Sequence, residues 1–189
     1  MDIVLVKAAG PGDRDRVYLQ RPGGEPERVP VHPVHDLPHL VVESLFVIRD
    51  GLWAELADGR HGAAGAATTA RDPKRQKLGR IVSGAAGGEP TGIWLTAGHR
   101  LAKTVTNCVA NRWGDGPDTP AGVRERLARA PGIEPTDRLR HVDDETIALA
   151  IRAVGDLDRR WGATPPGGTL RLEWPLRRSF FAPEGPHTA

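Results

Sequence analysis

The chain begins with short segments in which β-branched residues cluster or apolar and polar residues alternate. Residues 2–9 are rich in Val and Ile, residues 15–21 alternate, and the turn-forming sequence PGGEPE separates them from RVPVH at 28–32. Alternation with a period of two places every second side chain on one face of a sheet. These segments therefore predict two or three antiparallel strands.

After residue 34 the apolar positions recur with a helical period. Residues 35–48 predict a first helix, and residues 51–59 predict a short second helix that ends at Gly59. Apolar residues at helical spacing predict three further helices, at 101–113, 119–130 and 143–162. Thr119 is the expected cap of one of them, since Ser, Thr, Asp and Asn satisfy the free amides of a first helical turn.

The last patterned segment is TLRLEWPL, at 169–176, in which Leu170, Leu172 and Trp174 share one face opposite Arg171 and Glu173. This pattern is typical of a half-exposed antiparallel strand. We expect it to return to the first sheet. The sequence as a whole predicts an α+β fold, with a small antiparallel sheet of N-terminal strands and a C-terminal strand packed with four or five helices.

The length of 189 residues is that of one domain, and no linker or internal repeat divides the chain. We therefore expect a single domain over residues 1–189. Residues 59–92 are rich in Gly and Ala and have no strong period, so they predict a mobile loop or lid.

Composition narrows the class of protein. Hydrophobic residues make up 39% of the chain and charged residues 26%, and no apolar run reaches the roughly 18 residues of a membrane span. The first residues lack the features of a signal peptide, so we expect a cytoplasmic protein. Cys108 is the only cysteine, which excludes an intramolecular disulfide and leaves His, Asp and Glu as metal ligands.

The net charge of +2 is too small to indicate nucleic-acid binding by itself. A basic cluster lies in the glycine-rich segment, at Arg71, Lys74, Arg75, Lys77 and Arg80. Aromatic content is low and no known binding module is recognisable, so we do not expect nucleic acid as a partner. We expect a small-molecule substrate and no membrane contact, and the sequence does not indicate an oligomeric state.

The segment HDLPHLVVES, at 35–44, carries the strongest indication of chemistry. The run LPHLVVESLFVI leaves hardly any polar face, so the helix is expected to be buried nearly all round, with His39 and Glu43 inside. A buried imidazole or carboxylate without a partner is costly. Each must therefore be hydrogen-bonded, neutral or bound to a metal.

His35 and His39 are four residues apart, which brings their Cβ atoms within about 5–6 Å on one helix face and allows both to hold one cation. Glu43 lies about 12 Å along the axis from His35, too far to share that metal. We assign Glu43 either to a hydrogen bond with His39 or to acid–base catalysis. Asp36 is a second acid–base candidate, or the helix cap.

A third metal ligand would come from His32, His61 or His99. A site of two histidines, one carboxylate and open water positions suits zinc hydrolysis or ferrous iron chemistry, so a divalent metal of this kind is an expected cofactor of the metal-dependent hypothesis.

HDLPH resembles the HExxH motif of zinc peptidases, with Asp36 in place of Glu and so one methylene shorter. It also resembles the HD doublet of metal-dependent phosphohydrolases, a family that is wholly helical, whereas this chain begins with strands. Neither resemblance extends beyond five residues, and we assign neither family.

The predicted helix after residue 97 carries His99, Lys103, Asn107 and Asn111 at intervals of four. This polar stripe could line a cleft facing the His35/His39 helix, with His99 as a metal ligand and Lys103 or Asn107 contacting substrate. A solvated helix face is the alternative. We interpret Cys108, on the apolar side, as a core residue.

The leading hypothesis is a small cytoplasmic enzyme that acts on a small molecule through a His/Glu site, either metal-dependent or acid–base, with hydrolase-like or lyase-like chemistry. Here His35, His39 and His99 hold a metal, and Glu43 or Asp36 moves protons. The alternative is a non-enzymatic small-molecule-binding or protein-interaction domain in which His39 and Glu43 are structural.

Overall fold

The computed structural model describes residues 1–59, 97–112, 114, 116–130 and 137–177. These residues form a four-stranded antiparallel sheet and five α-helices, which confirms the α+β prediction. The predicted loop or lid at 59–92 lies outside the described residues except for Gly59, and the single-domain assignment stays a prediction.

The sheet consists of β1 (Asp2–Val6), β2 (Arg16–Gln20), β3 (Glu27–Val29) and β4 (Thr169–Glu173). Its strand order is β3-β2-β1-β4, with every neighbouring pair antiparallel. The predicted return of the C-terminal strand is confirmed, because β4 pairs with β1 along its whole length.

Strict alternation determines which face of the sheet the helices cover. Ile3 and Leu5 of β1, Leu19 of β2 and Leu172 of β4 are buried on the inner face. The intervening residues point to the other face and stay partly or fully exposed. The sheet therefore has one core face and one outer face.

The helices are α1 (Pro33–Leu45), α2 (Leu52–Ala57), α3 (Ala97–Val109), α4 (Pro120–Arg129) and α5 (Asp144–Ala163), with a short 3-10 turn at Asp137–Leu139. The predicted cap of α4 is confirmed, since the Thr119 hydroxyl accepts a hydrogen bond from the Gly122 amide at 3.2 Å. No helix among those described is long and apolar enough to cross a membrane.

Helix α1 is the central element of the helical layer and packs against α2, α3 and α5. Leu37, Leu40 and Val41 are almost fully buried, as the nearly continuous apolar run predicts. Two helices end earlier than their apolar pattern predicts, α1 at Leu45 and α3 at Val109. Shortly after each end the chain takes a left-handed conformation, at Val47 (φ 54°) and Asn111 (φ 47°).

Candidate functional site

Glu43 is 1% exposed and connects α1 to the start of α2. Its Oε1 accepts a hydrogen bond from the Leu52 amide at 2.9 Å, and its Oε2 accepts from Trp53 at 2.9 Å and Ala54 at 3.3 Å. Amides in the first turn of a helix have no intrahelical acceptor, and the helix dipole favours a carboxyl there. Glu43 is therefore the cap of α2.

The approach of Glu43 to α2 requires a glycine. A Cβ on Gly51 would lie 2.6 Å from Glu43 Oε1, closer than non-bonded atoms approach. Burial raises the pKa of Glu43 to about 8, against the opposing effect of its three amide hydrogen bonds, and nearby Glu55 adds to the rise. Among the described residues, Glu43 thus bonds to α2 amides and not to His39.

Asp36 also bonds to the backbone. Its carboxylate accepts a hydrogen bond from the His32 amide at 2.7 Å, at the start of α1. Burial raises the pKa of Asp36, while the hydrogen bond and the neighbouring histidines lower it. The prediction that Asp36 caps the helix is wrong, because α1 begins at Pro33 with His32 as its N-cap, and Asp36 bonds back to that residue from inside the first turn. A part of Asp36 in proton transfer stays a prediction.

Pro38 creates an acceptor site inside α1. Proline has no amide hydrogen, so it cannot donate to the carbonyl of Val34 four residues earlier. Arg112, just after α3, places Nη2 3.3 Å from that carbonyl oxygen and Nη1 3.4 Å from Nδ1 of His35. Donation to Nδ1 requires the His35 ring to carry its proton on Nε2. The predicted metal ligand His35 therefore faces a guanidinium.

His39 lies half-buried on the side of α1 that faces α3. Burial lowers the pKa of His39 to about 4, and Arg112, Lys103 and His99 lower it further through their positive charge. The imidazole is therefore neutral over the physiological range. It can accept a proton or a hydrogen bond without first losing its own charge.

The predicted polar stripe of α3 is partly assembled around His39. His99 is 4% exposed, with Nε2 3.7 Å from Oε2 of Glu55, whereas Lys103 is exposed and Asn107 is half-buried. Asn111 stabilises the turn after α3, because its side-chain amide donates a hydrogen bond to the carbonyl of Gly116 at 3.2 Å.

The structure thus brings together five side chains between α1 and α3, which we call the histidine cluster: His35, His39, His99, Lys103 and Arg112. Two of its members, Lys103 and Arg112, have basic side chains, so the cluster favours a negatively charged ligand. Four of the five carry predicted site roles, and Arg112 does not. The signal that could have identified it is Pro38, since a proline inside a helix leaves one carbonyl in need of a donor.

A divalent metal fits the histidine cluster poorly in electrostatic terms. Neutral His39 is a competent ligand, but Arg112 and Lys103 repel a second cation. Within the described ranges, no three His, Cys, Asp or Glu side chains are grouped to hold a metal. His32, another candidate, has its ring 5.0 Å from that of His35, and His61 lies outside the described residues. The zinc or iron assignment stays a prediction.

Comparison of the chain with models of protein families, with curated proteins and with solved structures found no match. The fold and the histidine cluster therefore define only a class, a small α+β protein with a polar site between two helices.

Proposed function

We propose that the protein is a small enzyme that binds a small anionic molecule at the histidine cluster, with His39 as the group that exchanges a proton with it. The observation that carries this proposal is a half-buried imidazole within electrostatic range of both Lys103 and Arg112. The two cations supply attraction for a carboxylate or phosphate group. The chemistry expected is hydrolase-like or lyase-like.

Binding of an anion would prepare His39 for its role. Burial is the main cause of the low pKa of His39, and the positive charges of Arg112 and Lys103 lower it further. An anion bound beside those two residues partly offsets their effect, so the pKa of His39 rises. A general base is most effective when its pKa lies near the working pH. Negative charge that develops on the substrate during proton removal is stabilised by Arg112 and Lys103.

In this proposal Glu43 and Asp36 position the helices, and His39 carries the proton. The hydrogen bonds of both carboxyl groups to backbone amides support that division. The same contacts also favour the second candidate, a non-enzymatic domain that binds an anion without converting it. A cytoplasmic location belongs to the proposal, and fractionation of cells that produce the protein tests it.

Calorimetric titration with inorganic phosphate, acetate and malonate tests the binding step. We expect Arg112→Gln to weaken the tightest of these ligands about tenfold, the effect of losing one hydrogen bond to a charged group. Arg152→Gln, which removes an exposed charge on α5, is the matched control. Absence of binding by the wild type, or equal weakening in both variants, would disprove the assignment of the site.

Turnover of a panel of small phosphate and carboxylate esters distinguishes the enzyme from the binding domain. We expect His39→Gln to keep anion affinity within about twofold and to lose at least about 100-fold in rate, as removal of a general base does. Binding without turnover in the wild type would favour the non-enzymatic domain. Elemental analysis and the melting temperature with added zinc or iron test the metal-dependent form separately.

A further inference from the structure

The outer face of the sheet carries a row of side chains that crosses all four strands. The strand register places Arg28 beside Tyr18, Tyr18 beside Val4, and Val4 beside Arg171. All four alternate with residues that point to the opposite, helix-covered face. With neighbouring strands about 4.8 Å apart, the row spans about 14 Å.

This row has an aromatic ring between positive charges. Tyr18 and Val4 are half-buried, whereas Arg28 and Arg171 are exposed at either end. Arg16 is also exposed and lies on the same face, opposite Val6 in the next row. Within the described part of the chain, the side chains of Arg16, Arg28 and Arg171 form no ion pair and no hydrogen bond.

Among the strand residues of the outer face, the acidic ones lie at one end. Asp2 pairs with Gln20 on one side and with Glu173 on the other, in the row beyond Tyr18. Glu173 is partly neutralised by Arg177, whose guanidinium lies 3.5 Å from its carboxylate. The centre and the opposite end of the face are therefore positive around Tyr18.

We propose that this outer face binds single-stranded nucleic acid. Exposed sheets with aromatic side chains bind unpaired strands by stacking the bases, and flanking arginines contact the phosphates. Tyr18 matches the bases of such a ligand and the arginines match its phosphates. An acidic protein would be attracted by the arginines alone and would not require the aromatic ring. This surface is on the other side of the sheet from the histidine cluster. The proposal that it binds nucleic acid is therefore independent of the enzymatic proposal.

The proposal departs from the expectation drawn from composition. The small net charge, the low aromatic content and the lack of a recognisable binding module do not favour nucleic acid, but none of these properties shows which side chains share a surface. Arg16, Arg28 and Arg171 are far apart in sequence and come together only through the register of the strands.

Fluorescence anisotropy with labelled single-stranded RNA and DNA of about 12 nucleotides tests this surface. We expect wild-type binding at about 50 mM salt that weakens steeply as salt rises. The double variant Arg28→Gln/Arg171→Gln should lower the affinity at least tenfold and reduce the salt dependence. Arg152→Gln, an exposed arginine on α5, should leave both unchanged.

Tyr18 provides the test that separates stacking from charge. Tyr18→Leu should weaken binding about tenfold with the salt dependence kept, because the bases lose their stacking partner. Tyr18→Phe keeps the ring and should bind like the wild type. Thermal unfolding of every variant serves as the control that each one is folded.

Three outcomes would overturn the inference. The first is no binding of the wild type to either oligonucleotide at low salt. The second is equal affinity of the wild type and Tyr18→Leu, which would indicate a general attraction for polyanions. The third is binding of polyglutamate or of anionic phospholipid vesicles as tightly as the oligonucleotides and with the same loss in the arginine variants.

Discussion

Burial shifts the pKa values of two α1 side chains in opposite directions, Glu43 upward to about 8 and His39 downward to about 4. Both shifts favour the neutral form, because a weakly polar interior disfavours charge of either sign. The apolar run of α1 allowed the burial of Glu43 to be predicted from sequence alone, whereas His39, predicted to lie inside, is half-buried. The partner of Glu43 could not be predicted, because α2 reaches it through a turn at 46–51 that has no periodic pattern.

Glu43→Gln should change how stability depends on pH. The pKa of Glu43 in the folded protein lies above its usual value of 4.5. The contribution of Glu43 to the free energy of unfolding is therefore complete below pH 4.5 and is lost as the pH rises toward about 8. Stability of the wild type should therefore fall relative to Glu43→Gln across this range, by up to about 1.4 kcal/mol per pH unit. Urea unfolding of both proteins at several pH values measures this, and a constant difference would contradict it.

The imidazole of His39 should remain neutral well into the acidic range. Its folded pKa of about 4 lies below the usual value of 6.5, so its contribution to stability is present above that value and is lost as pH falls toward 4. An NMR titration should show the His39 ring signals unchanged between about pH 7 and pH 5. The spectrum of His39→Gln assigns those signals, and a midpoint near the usual value would refute the electrostatic description of the site.

At the scale of elements, the presence of each α-helix and strand could be predicted, because hydrophobic periodicity is a local property of the sequence. Every described strand and α-helix overlaps a predicted one, whereas the 3-10 turn at Asp137–Leu139 does not. The ends of α1 and α3 could not be predicted. The chain turns there at Val47 and Asn111, which adopt a left-handed conformation that is normally favoured by glycine. Contacts between particular side chains of different helices could not be predicted either. The link between Pro38 and Arg112 exists only because α1 and α3 pack together.

Gly51→Ala should uncouple α1 from α2. The added Cβ would meet the Glu43 carboxyl group, displace it from the amides of α2 and leave buried polar groups unpaired. We expect a loss of about 2–4 kcal/mol in the free energy of unfolding.

Gly162→Ala is the matched control for that substitution. A Cβ at Gly162, in the last turn of α5, meets no atom within 4 Å, so alanine there should be neutral or stabilising by up to about 1 kcal/mol. Equal effects of the two substitutions in urea unfolding would show that the carboxyl group does not depend on the glycine.

At the scale of the whole molecule, the class of fold and four members of the histidine cluster could be predicted, whereas Arg112 and the row across the outer face of the sheet could not. A half-exposed strand near residue 170 needs a sheet to join, which made its return to the N-terminal strands predictable. The histidine cluster depends on the packing of α1 against α3, and the outer face of the sheet depends on strand register. Neither relation is contained in the spacing of residues within one segment.

The position of β1 between β2 and β4 predicts unequal protection of the strands from hydrogen exchange. We expect the amides of Ile3 and Leu5 to exchange only through global unfolding, because both edges of β1 are paired and both side chains are fully buried. The three-residue edge strand β3 should exchange faster. Exchange measured by NMR tests this order, and equal rates in β1 and β3 would contradict it.

The pairing of β1 with β4 also affects how quickly the chain folds. β1 and β2 can form a hairpin locally, but β4 joins β1 from far along the chain, and Lys7 donates to the carbonyl of Trp161 across 154 residues. Contacts between such distant segments lower folding rates, because a long loop must close first. Until β4 arrives, one edge of β1 remains open to strands of other molecules, so refolding yield should fall as protein concentration rises.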